Sequence, residues 1–326
     1  MIPIRDTIQS RNYPIVNLSI IGINVLLYLV EMTQGPHLNR FIYLYGLVPE
    51  RYSNPEVAAY FGFGRQVFAL FSFMFIHGGF WHLLGNMWCL YIFGDNVEDR
   101  LGHLRYIIFY LLCGWASGLS HLFINWNSGI PTIGASGAIA GVMGAYLILY
   151  PRARILTLIP IFFLPYFIEI PAFFFLGFWF FIQFLSAAGS HGQAGGVAWW
   201  AHIGGFISGI IFLQFFRKVP ELGITERLRR VSPQRKTPHL QVIRTQGTAE
   251  SPHLSGQIDI TPSEAEFGTR KLANIPWGFN KRLVKITIPP GIKNGDTLSL
   301  SGMGRQISKN EKGDLQLKVL IQPRRH

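Results

Sequence analysis

The stretch YIIFYLLCGWASGLSHLFINWNSGIPTIGASGAIAGVMGAYLILYP, residues 106–151, contains no Asp, Glu, Lys or Arg. A helix needs about 20 apolar residues to cross the hydrocarbon core of a bilayer, so this stretch has room for two membrane-spanning helices. Residues 155–216 continue the pattern, because Glu169 is the one charged residue among them. The sequence therefore predicts an integral membrane protein and not a soluble globular domain.

Six membrane spans are predicted when the remaining apolar stretches are added. Residues 66–94 carry no charged side chain, and residues 14–33 are apolar and close to the N-terminal end. The predicted spans are 14–33, 81–97, 104–124, 135–150, 167–186 and 197–217. The segment between the first two spans, residues 34–80, is interpreted as a partly membrane-embedded loop with short helices.

Basic residues mark one side of the predicted membrane domain. Those next to the span ends are Arg5, Arg11, Arg100, Arg105, Arg152, Arg154, Arg217 and Lys218. Because short loops rich in Lys and Arg stay in the cytoplasm, both termini are predicted to be cytoplasmic. No transit-peptide pattern is seen, so the bacterial inner (plasma) membrane is the expected location. The net charge of +12 is then a topology signal, and nucleic acid is not an expected partner.

The composition changes after residue 217. Residues 218–255 are basic and contain several prolines, and we interpret them as a linker near anionic lipid. Residues 256–326 are interpreted as a small soluble β domain, because residues 284–288 and 314–321 alternate apolar and polar side chains. A short helix over residues 261–267, capped by Ser263, is predicted within it. The predicted fold class is an all-α polytopic membrane protein, residues 1–217, followed by this linker and β domain.

Ser136 is the candidate nucleophile of the membrane domain. It follows a helix-breaking run, residues 127–131, and opens an apolar helix. The first N–H groups of a helix have no intrahelical partner and favour negative charge, so the Ser136 amide could meet an oxyanion. Gly134 and Gly137 would let a substrate backbone come close. The alternative is packing, because Gly137 and Gly141 have the small-xxx-small spacing of helix contacts.

His202 is the candidate base for Ser136. Imidazole exchanges protons near neutral pH, as removal of a proton from a serine hydroxyl requires. Gly205 and Gly209 would let the sixth span lie against the fourth. Neither span contains Asp or Glu, so the sequence predicts a Ser–His dyad and not a triad. The alternative is a packing histidine bonded to a carbonyl group.

Two further polar side chains precede these residues in the second span. His82 and Asn86 are four residues apart and therefore share one face of a helix. Both can donate a hydrogen bond to an oxyanion, and the alternative is that they only join helices to one another. At the end of this span, Glu98 and Asp99 are expected to form solvated ion pairs in a cytoplasmic turn.

Together these fragments resemble the rhomboid family of intramembrane serine proteases. The fragments are His82-x-x-x-Asn86, Gly134-x-Ser136-Gly137 and Ala201-His202-x-Gly204-Gly205. The resemblance implies a six-helix bundle with a water-filled cavity, Ser136 as nucleophile, His202 as base, and His82 and Asn86 around the oxyanion. It also implies membrane-protein substrates with a transmembrane helix, a capping loop at residues 187–196, and no metal or organic cofactor.

The chain after the linker is similar to part of the C-terminal domain of DnaJ-type co-chaperones. The matching residues are Ser263–Gly268, Ile286–Gly291, Asn294–Asp296 and Gly313–Leu315. A His-Pro-Asp triplet and a Cys-x-x-Cys pattern are absent from the sequence, so stimulation of an Hsp70-type partner is not expected. The resemblance implies binding of peptides or self-association, and a plain structural tail is the alternative.

The function predicted from all these features is an intramembrane serine endopeptidase that cleaves transmembrane or membrane-adjacent segments. One alternative is a non-catalytic rhomboid-like membrane chaperone that binds clients. Another is a transporter or channel that uses the buried His and Asn side chains as a polar path, but such a path would spread along the membrane depth.

Overall fold

The computed structural model describes residues 1–321 except for 9, 11, 162–163, 190–197, 219–239, 244, 247–250, 278–279 and 307–311. Two compact units are present. The helical unit comprises Ser10–Ala153 and Pro171–Pro233, and the strand unit comprises Met1–Gln9, Arg154–Ile170 and Gln234–His326.

The described part of the helical unit contains ten α-helices. They are α1 (Ile15–Met32), α2 (Leu38–Tyr45), α3 (Glu50–Ser53), α4 (Pro55–Ala59), α5 (Phe63–Ser72), α6 (Phe80–Leu101), α7 (His103–Ile124), α8 (Ser136–Leu149), α9 (Ala172–Gly189) and α10 (Trp199–Lys218). Short 3₁₀ turns lie at Gly35–His37 and Phe73–Phe75. The short helices expected between the first two spans are therefore present.

Four helices, α1, α7, α9 and α10, are long and apolar enough to cross a membrane. Helix α6 forms a fifth candidate together with α5, and the two are bent by 79° at the break between them. Helix α8 is apolar but has only 14 residues. At 1.5 Å per residue it is about 21 Å long, which is shorter than the roughly 30 Å thickness of a hydrocarbon core.

The fifth span begins later than the sequence suggested. Residues 167–171 were predicted to be helical, and this is wrong, because α9 begins at Ala172. The residues before it form a strand of a three-stranded sheet with the order β1 (Ile2–Asp6), β2 (Arg154–Ile161) and β3 (Leu164–Pro171). The residue before a proline disfavours the α conformation, so Pro171 keeps Ile170 extended.

The N-terminus of α1 is capped by an acidic side chain from α6. The Glu98 carboxylate is 1% exposed and accepts hydrogen bonds from the Val16 and Asn17 amides at 3.0 and 2.7 Å. It also pairs with the His103 ring, while Asp99 accepts from Asn12. The expectation of a solvated pair is therefore wrong for Glu98, which is buried. The first turn of α1 offers no side-chain cap of its own, so its free amides are met by Glu98 instead.

Helices α8 and α10 pack backbone against backbone. A Cβ atom added at Gly205 would lie 2.0 Å from the Gly137 carbonyl oxygen, and one added at Gly209 would lie 2.0 Å from the Gly141 carbonyl oxygen. No side chain fits at these contacts, so the glycines are required by the close approach. The small-xxx-small pairs predicted from the sequence are therefore helix contacts, as in other membrane bundles.

The described part of the strand unit contains two further sheets and one short helix. Their elements are β4 (Leu240–Val242), β5 (Leu254–Ile260), α11 (Pro262–Phe267), β6 (Thr269–Trp277), β7 (Asn280–Ile288), β8 (Thr297–Leu300) and β9 (Leu315–Ile321). The strand orders are β4-β6-β7 and β5-β9-β8, with β5 and β9 parallel. Strand β4 and the first residues of β5 lie inside the segment interpreted as a linker, so the strands begin before residue 256.

Alternation of apolar and polar residues builds the core of the strand unit. Every second residue of β5 and β9 is buried, beginning at Leu254 and Leu315, and the core is aliphatic.

Helix α11 is capped by Thr261, not by Ser263. The Thr261 hydroxyl accepts from the Glu264 amide and the Glu264 carboxylate accepts from the Thr261 amide, which forms a capping box.

Candidate active site

Ser136 and His202 meet at the ends of two closely packed helices. Ser136 is the first residue of α8, and His202 lies in the first turn of α10. The His202 Nε2 atom is 2.7 Å from the Ser136 Oγ atom, within hydrogen-bonding distance. The glycine contacts between α8 and α10 bring the two side chains together from positions 66 residues apart in the chain.

The turn before Ser136 needs glycine at position 134. Gly134 has a φ of +121°, a conformation that L side chains rarely adopt. A Cβ atom there would lie 2.7 Å from the His82 Nε2 atom and 3.6 Å from the Ser136 Oγ atom. His82 and Ser136 therefore border the same small space beside the turn.

His82 presents a hydrogen-bond donor to this space. Its Nδ1 atom accepts a hydrogen bond from the Gly78 amide at 3.3 Å. In a neutral imidazole the other nitrogen then carries the proton. The Nε2–H group of His82 therefore points toward Gly134 and Ser136.

Asn86 lies one helical turn after His82 on the same face of α6. Its side chain is 8% exposed, and its Nδ2 atom has no hydrogen-bond partner among the described residues. A buried donor without a partner is destabilising by about 1–3 kcal/mol. Such a group is suited to bind an acceptor that arrives with a substrate.

Gln183 of α9 is a contact of His202 that the sequence did not predict. The Gln183 Oε1 atom is 2.7 Å from the His202 Nδ1 atom, and the Gln183 side chain is 6% exposed. The prediction of a dyad rested on the absence of Asp and Glu from the fourth and sixth spans, and Gln183 is an amide in the fifth span. The available signal was an amide within the aromatic run of the fifth span.

Two tryptophans border the His202 ring. The ring centroids of Trp179 and Trp199 lie 6.0 and 6.1 Å from that of His202. Their faces and edges exclude water from much of the imidazole, and at this distance an aromatic face also favours a cationic ring. Neither residue was identified from the sequence.

A buried carboxylate holds the segment that precedes α6. Both Glu31 carboxylate oxygens lie 3.2 Å from the His77 amide, which donates to them. The His77 ring lies 5.2 Å from the His82 ring, measured between centroids. From the sequence, Glu31 is only an interruption of the first span. In the structure its carboxylate holds the backbone at His77, whose ring is a neighbour of the His82 ring.

Most of the predicted capping loop lies outside the residues that the structure describes. Segment 187–196 begins in the last turn of α9, and its remaining residues lie outside the described ranges. Across the residues that the structure describes, no group of three or more His, Cys, Asp and Glu side chains could hold a metal ion.

Two family models match the chain. Residues 64–218 match the rhomboid domain. Residues 230–326 match the DnaJ C terminal domain. The two resemblances inferred from the motifs are thus confirmed, and so is the fold class of a rhomboid-like helical membrane protein with a strand-rich C-terminal region.

Several rhomboid proteins of known name are similar to this chain. Rhomboid protein 1, mitochondrial, of Saccharomyces cerevisiae is 27% identical over 220 residues, which cover 65% of this chain and 56% of the yeast protein. RHOMBOID-like protein 6, mitochondrial, of Arabidopsis thaliana is 38% identical over 85 residues, 26% of this chain and 27% of the plant protein. RHOMBOID-like protein 7 of the same plant is 38% identical over 84 residues, 26% of each chain. This chain therefore spans about half of the yeast relative and about a quarter of each plant relative.

Proposed function

We propose that this chain is an intramembrane serine endopeptidase in which Ser136 is the nucleophile and His202 is the general base. The observation that carries the proposal is the 2.7 Å distance between the Ser136 Oγ and His202 Nε2 atoms. A serine hydroxyl is a weak nucleophile until a neighbouring base accepts its proton. The match of residues 64–218 to the rhomboid domain supports a protease-like role.

The reaction begins when Ser136 attacks the scissile carbonyl carbon. His202 Nε2 accepts the hydroxyl proton as the Oγ–carbon bond forms, and the carbonyl oxygen becomes an oxyanion. His202 then donates this proton to the leaving amine as the carbon–nitrogen bond breaks. A water molecule, deprotonated by His202, attacks the acyl-enzyme and restores the Ser136 hydroxyl. Proton transfer by such a base contributes typically about 10²–10⁴-fold to the rate.

Three donors are proposed to hold the oxyanion. They are the Ser136 amide at the N-terminus of α8, the Asn86 Nδ2 group and the His82 Nε2–H group. The proposal is supported by the unpartnered Asn86 amide and by the position of His82 beside Gly134. One such donor is typically worth about 10²–10³-fold in rate.

The short length of α8 supports cleavage below the membrane surface. If Leu149 reaches one interface, a helix of about 21 Å leaves Ser136 roughly 10 Å below the other. Polar side chains and free backbone amides at that depth require a water-lined cavity. The proposed substrates are membrane proteins whose transmembrane helix unwinds locally, because a fully hydrogen-bonded helix hides its carbonyl groups.

We propose that such a helix approaches along α9. This helix has an exposed aromatic surface. Its exposed phenylalanines are Phe173, Phe174, Phe178, Phe181 and Phe184. The alternative is that these side chains face lipid only. Contact with the bilayer is expected in either case.

The orientation and the partners of the remaining chain are also proposals. The chain carries several membrane helices, and the distribution of basic residues supports cytoplasmic termini. Two of the relatives are named mitochondrial, which gives no support to the expected bacterial inner membrane. For the DnaJ C-terminal-like region we propose binding of peptides or self-association.

The test is cleavage of a labelled single-span membrane protein by the full chain in liposomes. The Ser136→Ala variant should retain the thermal unfolding temperature of the parent and lose all cleavage. A non-catalytic chaperone or a channel would be indifferent to this change. Cleavage by Ser136→Ala at the parental rate would refute the proposal.

A further inference from the structure

The His202 ring is hydrogen bonded on both sides. Its Nε2 atom faces the Ser136 Oγ atom, and its Nδ1 atom faces the Gln183 Oε1 atom, both at 2.7 Å. Residues Ser136, His202 and Gln183 come from α8, α10 and α9. The imidazole therefore joins three helices, and the third partner is an amide where a carboxylate would complete a triad.

The contact decides which nitrogen of His202 carries a proton. An amide oxygen is a hydrogen-bond acceptor, so Gln183 Oε1 selects the tautomer with a proton on Nδ1. In that tautomer Nε2 has a free lone pair and can accept the proton of the Ser136 hydroxyl. The opposite tautomer would place a proton on Nε2 and would leave Ser136 without a base.

The position of Gln183 is fixed by its helix. Trp179 and Gln183 are four residues apart on α9, so they share one face, and both contact His202. The Gln183 side chain is buried, which restricts its rotation. A group held in this way orients the imidazole as well as selecting its tautomer, as outer-shell partners of histidine do.

We propose that Gln183 is a positioning residue that holds His202 in its base-competent tautomer and orientation. This inference rests on the proposed function of Ser136 and His202 and adds a third member to it. When His202 accepts the Ser136 proton, the Nδ1–H group becomes part of a cation, and its hydrogen bond to Gln183 Oε1 strengthens.

The test compares Gln183→Leu, Gln183→Glu and a control, Gly177→Ala, in the full chain with the same labelled single-span substrate. Gln183→Leu removes the acceptor and should lower kcat about 10- to 100-fold with little change in KM. Gln183→Glu keeps an acceptor oxygen in place and should stay within a few-fold of the parent. Gly177 has open space around its Cα on the same helix, so Gly177→Ala should behave like the parent.

Three results would overturn the inference. The first is a Gln183→Leu variant with parental kcat, and the second is an equal loss in the Leu and Glu variants. The third is a change confined to KM. If Gln183→Leu unfolds, Gln183→Ala replaces it with the same expectation. Ser136→Ala is measured in parallel: if it is inactive while Gln183→Leu is fully active, only the inference fails, and if it cleaves like the parent, the proposed function fails as well.

Discussion

The helix pair α8–α10 and the strand pair β5–β9 bury their surfaces in opposite ways. In the helix pair, glycines remove side chains from the contact, and the backbones of Gly137 and Gly205 touch. In the strand pair, every second side chain is buried in an aliphatic core, and a regular parallel ladder joins Leu254 to Leu315 and the residues that follow. In the helix pair, the close approach of the two backbones also brings the Ser136 and His202 side chains into contact at the helix ends.

The two regions also differ in whether their buried polar groups have partners. In the strand unit the buried Lys271 ammonium is paired with the Glu264 carboxylate, which also caps α11. In the helical unit the Asn86 amide donor is buried without a partner among the described residues. A satisfied polar group stabilises a fold, whereas an unsatisfied buried donor is suited to bind an acceptor of a substrate. Asn274 of β6 departs from this pattern, since its side-chain Nδ2 and Oδ1 atoms have no hydrogen-bond partner among the described residues and nothing in the structure explains this.

The largest expected effect is that of Gly209→Val on the helix contact. Its Cβ atom would lie 2.0 Å from the Gly141 carbonyl oxygen and 2.5 Å from its Cα atom. Neither helix backbone can yield locally, so the free energy of unfolding should fall by at least about 3 kcal/mol and cleavage should be lost. Thermal unfolding in detergent and substrate cleavage measure both. The matched control is Gly22→Val in α1, where the space is open; equal effects of the two variants would contradict backbone packing.

For the ion pair of the strand unit, a loss of stability without a loss of cleavage is expected. Lys271→Met leaves the Glu264 carboxylate buried without its ammonium partner and should destabilise this unit by about 3–5 kcal/mol. The initial rate of substrate cleavage at a temperature where both variants are folded should not change. Limited proteolysis of the full chain measures the first effect. The double variant Lys271→Met with Glu264→Gln keeps the cap of α11 and removes the buried charge, so it should recover most of the stability. Failure to recover it would show that the pair itself is not the cause.

A smaller change in free energy is expected for Asn86→Ala. Loss of one oxyanion donor should reduce kcat about 10²–10³-fold, while KM and thermal stability stay close to the parent. Leu84→Ala, an exposed change in the same helix, is the control. A rise in KM with unchanged kcat would assign Asn86 to substrate binding instead.

Contacts that depend on spacing within a segment could be predicted from the sequence. The Gly205–Gly209 spacing predicted close helix packing, and with it the contact of His202 with Ser136 that the structure contains. Contacts between segments without such a pattern could not. Glu98 caps a helix that begins more than 80 residues earlier, and the contact of Gln183 with His202 joins two helices, α9 and α10, whose sequences carry no pairing pattern.

The strands of the first sheet illustrate the same limit. Residues of β1 pair with residues of β2 about 150 positions later in the chain. The run that forms β2 and β3 is mostly apolar and extends from the loop after the predicted fourth span into the first residues of the predicted fifth span. Its composition alone therefore does not separate a strand from a helix end. The prolines within it were the local signal, since they disfavour helix in the residues before them.

The most direct measurement is labelling by a serine-directed fluorophosphonate in the full chain, followed by mass spectrometry of the modified peptide. A single adduct on Ser136 is expected in the parent chain and none in Ser136→Ala. Labelling should be strongly reduced in His202→Ala, because the hydroxyl then has no base. Labelling of Ser136 at the parental rate in the His202→Ala variant, or an adduct on another serine, would refute a Ser136–His202 dyad.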